Sequence, residues 1–314
     1  MQTLELVAMN TSVLLAAEGQ NGVASGLEAA QAFIEQSERR FSRFLPQSEV
    51  SCLNQSAGEW RIVSQELMEM LVLSLGYYHE TGGLFDPSIL PALKRAGYDR
   101  SMNEIRHHGA SAFREAPQSA RADFRQIETD TEGQRVRLPP SMEIDLGGIA
   151  KGWIVEKAAT LLEGYSTACA VSAGGDIVFR GSPRDSWGWR VNIEDPLDPS
   201  RVVWGLQLGP CAVATSSVAK RSWQQGGRVR HHLIDPRTAE PVAADALSVT
   251  VVSPTMVAAE VYAKALLIGG ERERPRLASR RPELVYFVVR SDGSLVGTPT
   301  GAEHVDDLHF THPR

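Results

Sequence analysis

The spacing of apolar residues divides the chain into stretches of helical and of strand period. Residues 4–7 and 12–16 read as a strand pair, or one long strand, interrupted at Met9-Asn10-Thr11. Leu27, Ala30, Ile34 and Phe41 then repeat at helical spacing, which predicts a helix ending near Phe41-Ser42-Arg43-Phe44, before a cap at Ser48-Glu49-Val50-Ser51. From the candidate cap Ser64, the residues Leu67, Leu71, Ser74, Leu75 and Tyr78 share one helix face. Gly82-Gly83 stops that helix and leads into Leu84-Phe85-Asp86-Pro87. Residues 124–128 and 135–138 predict a hairpin. Residues 168–171, 189–193, 204–208, 211–214 and 247–252 predict strands, residues 255–268 a helix, and residues 283–290 with 294–297 a closing hairpin about Asp292-Gly293. Between Asp99 and Ala122 large apolar residues are few, so 100–122 reads as a surface excursion, and His107 and His108 on it are given no role.

The stretch that organises the chain runs from Met142 to Trp153: a strand ending at Asp145, a turn at Gly147-Gly148, and a helix opening with Lys151. Ile154, Ala158, Leu161 and Leu162 carry the helical period to Gly164. A helix N-terminus presents unpaired N–H groups and attracts anions. A glycine turn alone also serves tight turns, but a second one, Ser172-Ala173-Gly174-Gly175-Asp176, follows the next strand.

Composition narrows the class. With 314 residues and 42% hydrophobic content the chain can bury a large core. A formal charge of −6 with scattered basic residues argues against nucleic acid as a partner. Cys52, Cys169 and Cys211 form no metal-ligand pattern and read as packed thiols. No segment has the apolar length of a membrane span, and residues 1–17 lack a basic leader or a cysteine to lipidate. A cytoplasmic location is expected.

Four stretches in order resemble one family, the ApbE-type flavin transferases. They are Thr81-Gly82-Gly83-Leu84-Phe85-Asp86-Pro87, the run from Asp145 to Trp153, Gly174-Gly175-Asp176, and His232-Leu233-Ile234-Asp235-Pro236-Arg237-Thr238. Met9-Asn10-Thr11 and Phe41-Ser42-Arg43-Phe44 match less closely. The resemblance implies an α+β, ApbE-like (T-fold-related) fold: one domain over residues 1–314 with mixed, largely antiparallel sheets, packed helices, and two interleaved lobes with a flavin cleft between them. Composition alone would suit an α/β sandwich equally well.

It also implies an FAD:protein FMN transferase, in which a threonine of an acceptor protein attacks the FMN-side phosphorus of FAD and AMP leaves. The FAD-binding residues so implied are Met9, Phe44, Leu84, Phe85, Asp86, Asp145 and Lys151, with Thr215 and Ser216 near phosphate and His232 as the base. Where the family has Tyr, Phe44 keeps the ring and loses the phenol.

For magnesium the resemblance implies the Gly148 carbonyl and a ligand at each of the positions of Glu260 and Lys264, where the family has Asp and Thr. A protonated lysine is no ligand, and its ammonium is a candidate for the cation's place. Equally, Glu260 and Lys264 have the i,i+4 spacing of an ordinary helix salt bridge. Two further readings stay open, an FAD-binding module without transfer and an FAD pyrophosphatase releasing FMN and AMP. A nicotinamide oxidoreductase does not fit, because Gly147-Gly148 does not complete the G-x-G-x-x-G spacing.

Overall fold

The computed structural model describes residues 1–110, 123–298 and 309–311. The chain folds as two compact units, each assembled from separated segments. One takes Met1–Gln36, Lys151–Lys220 and Ala244–Arg314; the other takes Ser37–Ala150 and Arg221–Ala243.

The first unit is built on an eight-stranded sheet in the order Gln2–Ala8, Thr11–Glu18, Ala168–Ala173, Asp176–Arg180, Ala212–Ser217, Ala246–Ser253, Val285–Arg290, Leu295–Gly297. Every neighbouring pair is antiparallel. Strands Trp189–Glu194 and Val202–Leu208, with His309–Thr311, form a smaller sheet. Trp189, Val191, Ile193, Val203, Leu206 and Leu208 pack with Phe179, Val213, Val252 and Phe287 of the large sheet. The Met256–Ser279 helix breaks at Gly270, whose φ of 68° and ψ of −173° are not helical, so its first piece ends where the sequence predicts. Residues 256–268 of it are buried all round except at Lys264, as in a helix enclosed on every side.

The Gly174-Gly175 turn is a two-residue hairpin loop, closing the pair Ala173–Asp176 with both glycines at positive φ (64° and 94°). That turn matches the right-handed twist of its strands and requires left-handed backbone at both positions. Its glycines serve the turn geometry, and the turn sets Asp176 at the start of a strand. A Cβ on Gly175 would meet nothing within 4 Å, so Gly175→Ala isolates the conformational cost of the left-handed backbone. It is expected to destabilise the protein by about 1–2 kcal/mol. At Gly174 a Cβ would lie 2.5 Å from Thr11 Oγ1, so Gly174→Ala costs more. A urea unfolding midpoint for each variant checks the order.

The second unit holds the helices Glu49–Gln55, Gln65–Thr81, Leu90–Arg95 and Met102–His108, with the three-stranded sheet of Arg61–Ile62, Arg135–Arg137 and Glu128–Asp130. Ser48 and Ser64 cap their helices as the sequence predicts, accepting from Ser51 N and Leu67 N, and Gly82 ends the second helix in the left-handed conformation. The hairpin differs at its first arm: Phe124–Gln126 is a 3-10 turn capped by Asp123, and pairing starts at Glu128 opposite Arg137. Of the segment expected to be a surface excursion, Met102–His108 is a helix with a Ser101–Glu104 capping box, and Met102 and Ile105 are buried. Residues 111–122 of that segment lie outside the described residues.

Residues 142–146 correct the expected strand: they make no ladder. The Asn54 side chain, donating to Ile144 O (2.9 Å) and accepting from Ile144 N (2.8 Å), takes the place of a strand partner, and Asp145 N donates to Pro87 O (2.8 Å). Cys169 and Cys211 are buried and Cys52 half-buried; burial pushes the Cys211 thiol up to about 12. Among the described residues no helix is long and apolar enough to cross a membrane.

Candidate functional site

In the first unit four charged side chains converge. Lys151, in the first turn of the Ala150–Glu163 helix, pairs with Asp176 and lies 3.7 Å from Glu260 Oε1. Lys264 lies one helical turn beyond Glu260, its Nζ 3.5 Å from the same oxygen. The other Glu260 oxygen accepts from Gly152 N–H at 2.8 Å. The expected anion-binding helix end therefore already holds an anion, the carboxylate of Glu260. Burial pushes the Glu260 carboxyl up, but the charges of Lys151 and Lys264 and the Gly152 N–H outweigh it, holding the group below the ordinary carboxylate range and ionised. The i,i+4 helix salt bridge that the spacing also allowed is therefore present, and with the Glu260 side chain only 3% exposed it is a buried one.

Asp176 also accepts from Thr215 N (2.8 Å), and Thr215 Oγ1 shares a hydrogen bond with Thr250 Oγ1 (2.8 Å). Ser216 is buried in the strand, while Ser217, one position on, closes the turn by accepting from Ala219 N. Met9, half-buried, sits in the hairpin turn between the first two strands with φ 53°. That turn adjoins the Gly174–Asp176 loop, since Gly174 N donates to Ser12 O at 3.0 Å.

In the second unit Phe44, Asp145 and His232 gather around Arg43 and Tyr98. Arg43 has its Nε 3.3 Å from Asp145 Oδ2 and donates from Nη2 to Tyr98 O (2.9 Å). Its guanidinium covers both the Phe44 ring (4.1 Å) and the Tyr98 ring (4.8 Å). Phe44 meets Tyr98 edge-on at 5.8 Å, Tyr98 stacks on Trp223 at 5.5 Å, and His232 meets Tyr98 edge-on at 6.5 Å. Trp223 Nε1 donates to Ala96 O (2.8 Å), which fixes the far side of the stack. Burial raises the Tyr98 phenol, against the pull of Arg221 and Arg43. The other Asp145 oxygen accepts from Gly147 N (2.8 Å).

Asp86 caps the next turn, taking Ser88 N and Ser88 Oγ on one oxygen at 2.8 and 2.6 Å. Leu84 and Phe85 are buried, and the Phe85 N–H is taken by Thr81 Oγ1 (3.0 Å). Their side chains thus serve the packing of the turn that carries Asp86. Arg43→Lys keeps the charge but loses the planar stacking and the fork between Asp145 and the Tyr98 carbonyl. It is expected to cost about 2 kcal/mol of stability, read as a lower urea midpoint.

As they stand, Glu260 and Lys264, the two side chains of the expected magnesium site, do not fit a hard cation. Each oxygen of Glu260 and Asp176 already faces an N–H or ammonium donor, and Lys264, the second expected ligand, is one of those donors. Hard divalent cations need oxygen ligands with free lone pairs. Among the described residues no three His, Cys, Asp or Glu side chains are grouped to hold a metal ion.

The model of the ApbE family matches residues 9–288. The chain belongs to the ApbE family. A relative from Treponema pallidum, an FAD:protein FMN transferase, is 30% identical over 271 residues, covering 79% of this chain and 72% of the relative. One of the same name from Klebsiella pneumoniae is 25% identical over 233 residues, and the match spans 73% of this chain and 66% of that protein. The crystal structure of the ApbE protein from Thermotoga maritima shares the fold, with a TM-score of 0.86 at 23% identity over 97% of this chain and 99% of that one. The α+β architecture of antiparallel sheets with packed helices is thus that of the ApbE family.

Against the ApbE-family motifs, sequence reasoning did not single out Arg43, Tyr98 or Trp223. Arg43 stood inside a quoted motif, next to Phe44, and a basic residue between two aromatics was the available signal. Tyr98 and Trp223 are 125 positions apart in sequence and carried no local signal. Asp176, read only as the end of a glycine turn, is the partner of Lys151.

Proposed function

We propose that this chain is an FAD:protein FMN transferase: FAD is its substrate, a threonine of an acceptor protein its second substrate, and AMP its leaving group. The observation that carries this reading is that residues of the family's motifs, with the neighbours the fold brings to them, assemble into two chemically distinct groups. One gathers cations and hydroxyls around Lys151, Asp176, Thr215, Glu260 and Lys264. The other gathers flat rings and an imidazole around Phe44, Tyr98, Trp223 and His232. A flavin dinucleotide asks for both chemistries, an anionic pyrophosphate and an apolar tricycle.

In the reaction, the threonine Oγ–P bond forms as the bond from that phosphorus to the bridging oxygen breaks, and AMP leaves with that oxygen. Catalysis of such a step rests on positioning and on neutralising charge at the phosphoryl and leaving oxygens. Lys151 and Lys264 supply the positive charge. His232 takes the hydroxyl proton, as a neutral imidazole can near neutral pH. Phe44, held edge-on to Tyr98 and under Arg43, offers a ring face to the isoalloxazine.

The test is to incubate the full chain with FAD and a threonine-bearing acceptor domain, following AMP release and acceptor mass together. Covalent FMN on the acceptor with equimolar AMP is expected. AMP with free FMN and no acceptor requirement would indicate hydrolysis instead. Bound FAD with no AMP would indicate a binding module.

A further inference from the structure

Glu260 and Lys264 stand where a metal pair is expected, yet their surroundings are those of an internal ion cluster. Glu260 is buried in a helix segment that is apolar apart from Lys264, and both lysines approach it from within 4 Å. Resting on the transfer reading above, we infer that the Lys264 ammonium fills the place of a divalent cation beside Glu260, so that this chain takes the pyrophosphate of a flavin dinucleotide without a bound metal ion.

Three observations lead there. The carboxylate oxygens that a cation would need are used: Oε2 of Glu260 by Gly152 N–H, Oε1 by the two ammonium groups, and those of Asp176 by Thr215 N and Lys151. Displacing Gly152 N–H would orphan a buried donor. The charge of the site without FAD already balances, two carboxylates against two ammoniums, so a divalent ion entering it alone would bring two uncompensated charges into a largely dry site. Finally, the exposure is graded. The Glu260 side chain is 3% exposed and the Lys151 Nζ is buried, while the Lys264 side chain, at 17%, is the most exposed of the four and so the one most open to an incoming anion. A lysine ammonium is a compact point charge well suited to phosphate oxygens.

The test uses the full chain stripped with EDTA. Manganese is titrated in and free ion followed by electron paramagnetic resonance, and FAD affinity is measured separately in EDTA and in magnesium. The wild type is expected to leave the free manganese signal undiminished and to bind FAD equally in both buffers. Lys264→Thr is expected to weaken FAD binding in EDTA by about tenfold, the loss of one charge-assisted contact. Lys264→Arg, which keeps the charge, retains most of that affinity and guards against a folding artefact in the threonine variant. One equivalent of manganese bound by the wild type and lost in Glu260→Gln would overturn the inference, as would FAD affinity that collapses in EDTA. If FAD binds and no AMP appears under any condition, the transfer reading falls, while the manganese and FAD titrations still decide this one. Failure to bind FAD at all overturns both.

Discussion

Replacing His232 by glutamine is expected to lower flavin transfer by about 10²- to 10⁴-fold, the range for removing a general base from a proton transfer in the transition state. FAD binding is expected to stay nearly unchanged. Glutamine is close to histidine in size and keeps a hydrogen-bond donor, but it does not accept a proton at working pH. His232 is half-buried, its ring edge-on to Tyr98, and its backbone N–H is tied to Arg221 O, so the position stays ordered when the side chain changes. A threonine hydroxyl is a weak nucleophile until its proton is drawn off, and in the proposed function that is the step the substitution removes. The pH profile separates this role from a structural one. A rate that depends on a general base carries a limb set by that base, and in His232→Gln that limb is expected to disappear. A glutamine variant that transfers FMN at close to the wild-type rate, with that limb intact, would place the base elsewhere.

What the sequence made legible and what it hid follow from the range of the interactions. The helix capped by Ser64 and ended by Gly82 was readable because cap, period and stop all lie within one stretch of chain. The hairpin around Gly174-Gly175 was readable as a turn but not as a means of placing Asp176 against Lys151, since that pairing joins two elements. The expected strand before Asp145 was misread for a similar reason. Met142, Ile144 and Leu146 alternate as a strand does, and only the fold supplies Asn54, 90 positions away, as the partner of the Ile144 backbone. The aromatic group of Phe44, Tyr98, Trp223 and His232 is assembled from four separate stretches, so no window of sequence contains it.

Glu260 and Lys264 carried their own clue. Their i,i+4 spacing is the same in a surface helix and a buried one, but from Val257 to Ile268 these two are the only charged residues, and so narrow a polar stripe marks an enclosed helix.

That difference sets the size of the effect at Glu260. Glu260→Gln is expected to destabilise the protein by about 3 kcal/mol, at the low end of the range for breaking a buried ion pair, because Lys151 keeps Asp176 as a partner. An exposed i,i+4 pair would cost less than about 0.5 kcal/mol. Glutamine can still accept the Gly152 N–H through its amide oxygen, so the substitution removes charge while keeping shape and that hydrogen bond. The pH dependence carries the sign. The Glu260 carboxyl is held below its ordinary value in the folded protein, so its contribution is complete above the unfolded carboxylate value of about 4.3 and is lost as the pH falls through the lowered folded value. The stability gap between wild type and Glu260→Gln is therefore widest at neutral pH and closes in acid, where the wild-type carboxyl is itself uncharged. Urea midpoints for both proteins at neutral pH and across the acid range test this directly. A gap that is small at neutral pH, or that shrinks in high salt as a solvent-exposed pair does, would mean that the cluster of Lys151, Glu260 and Lys264 is open to water and not the internal charge assembly described above.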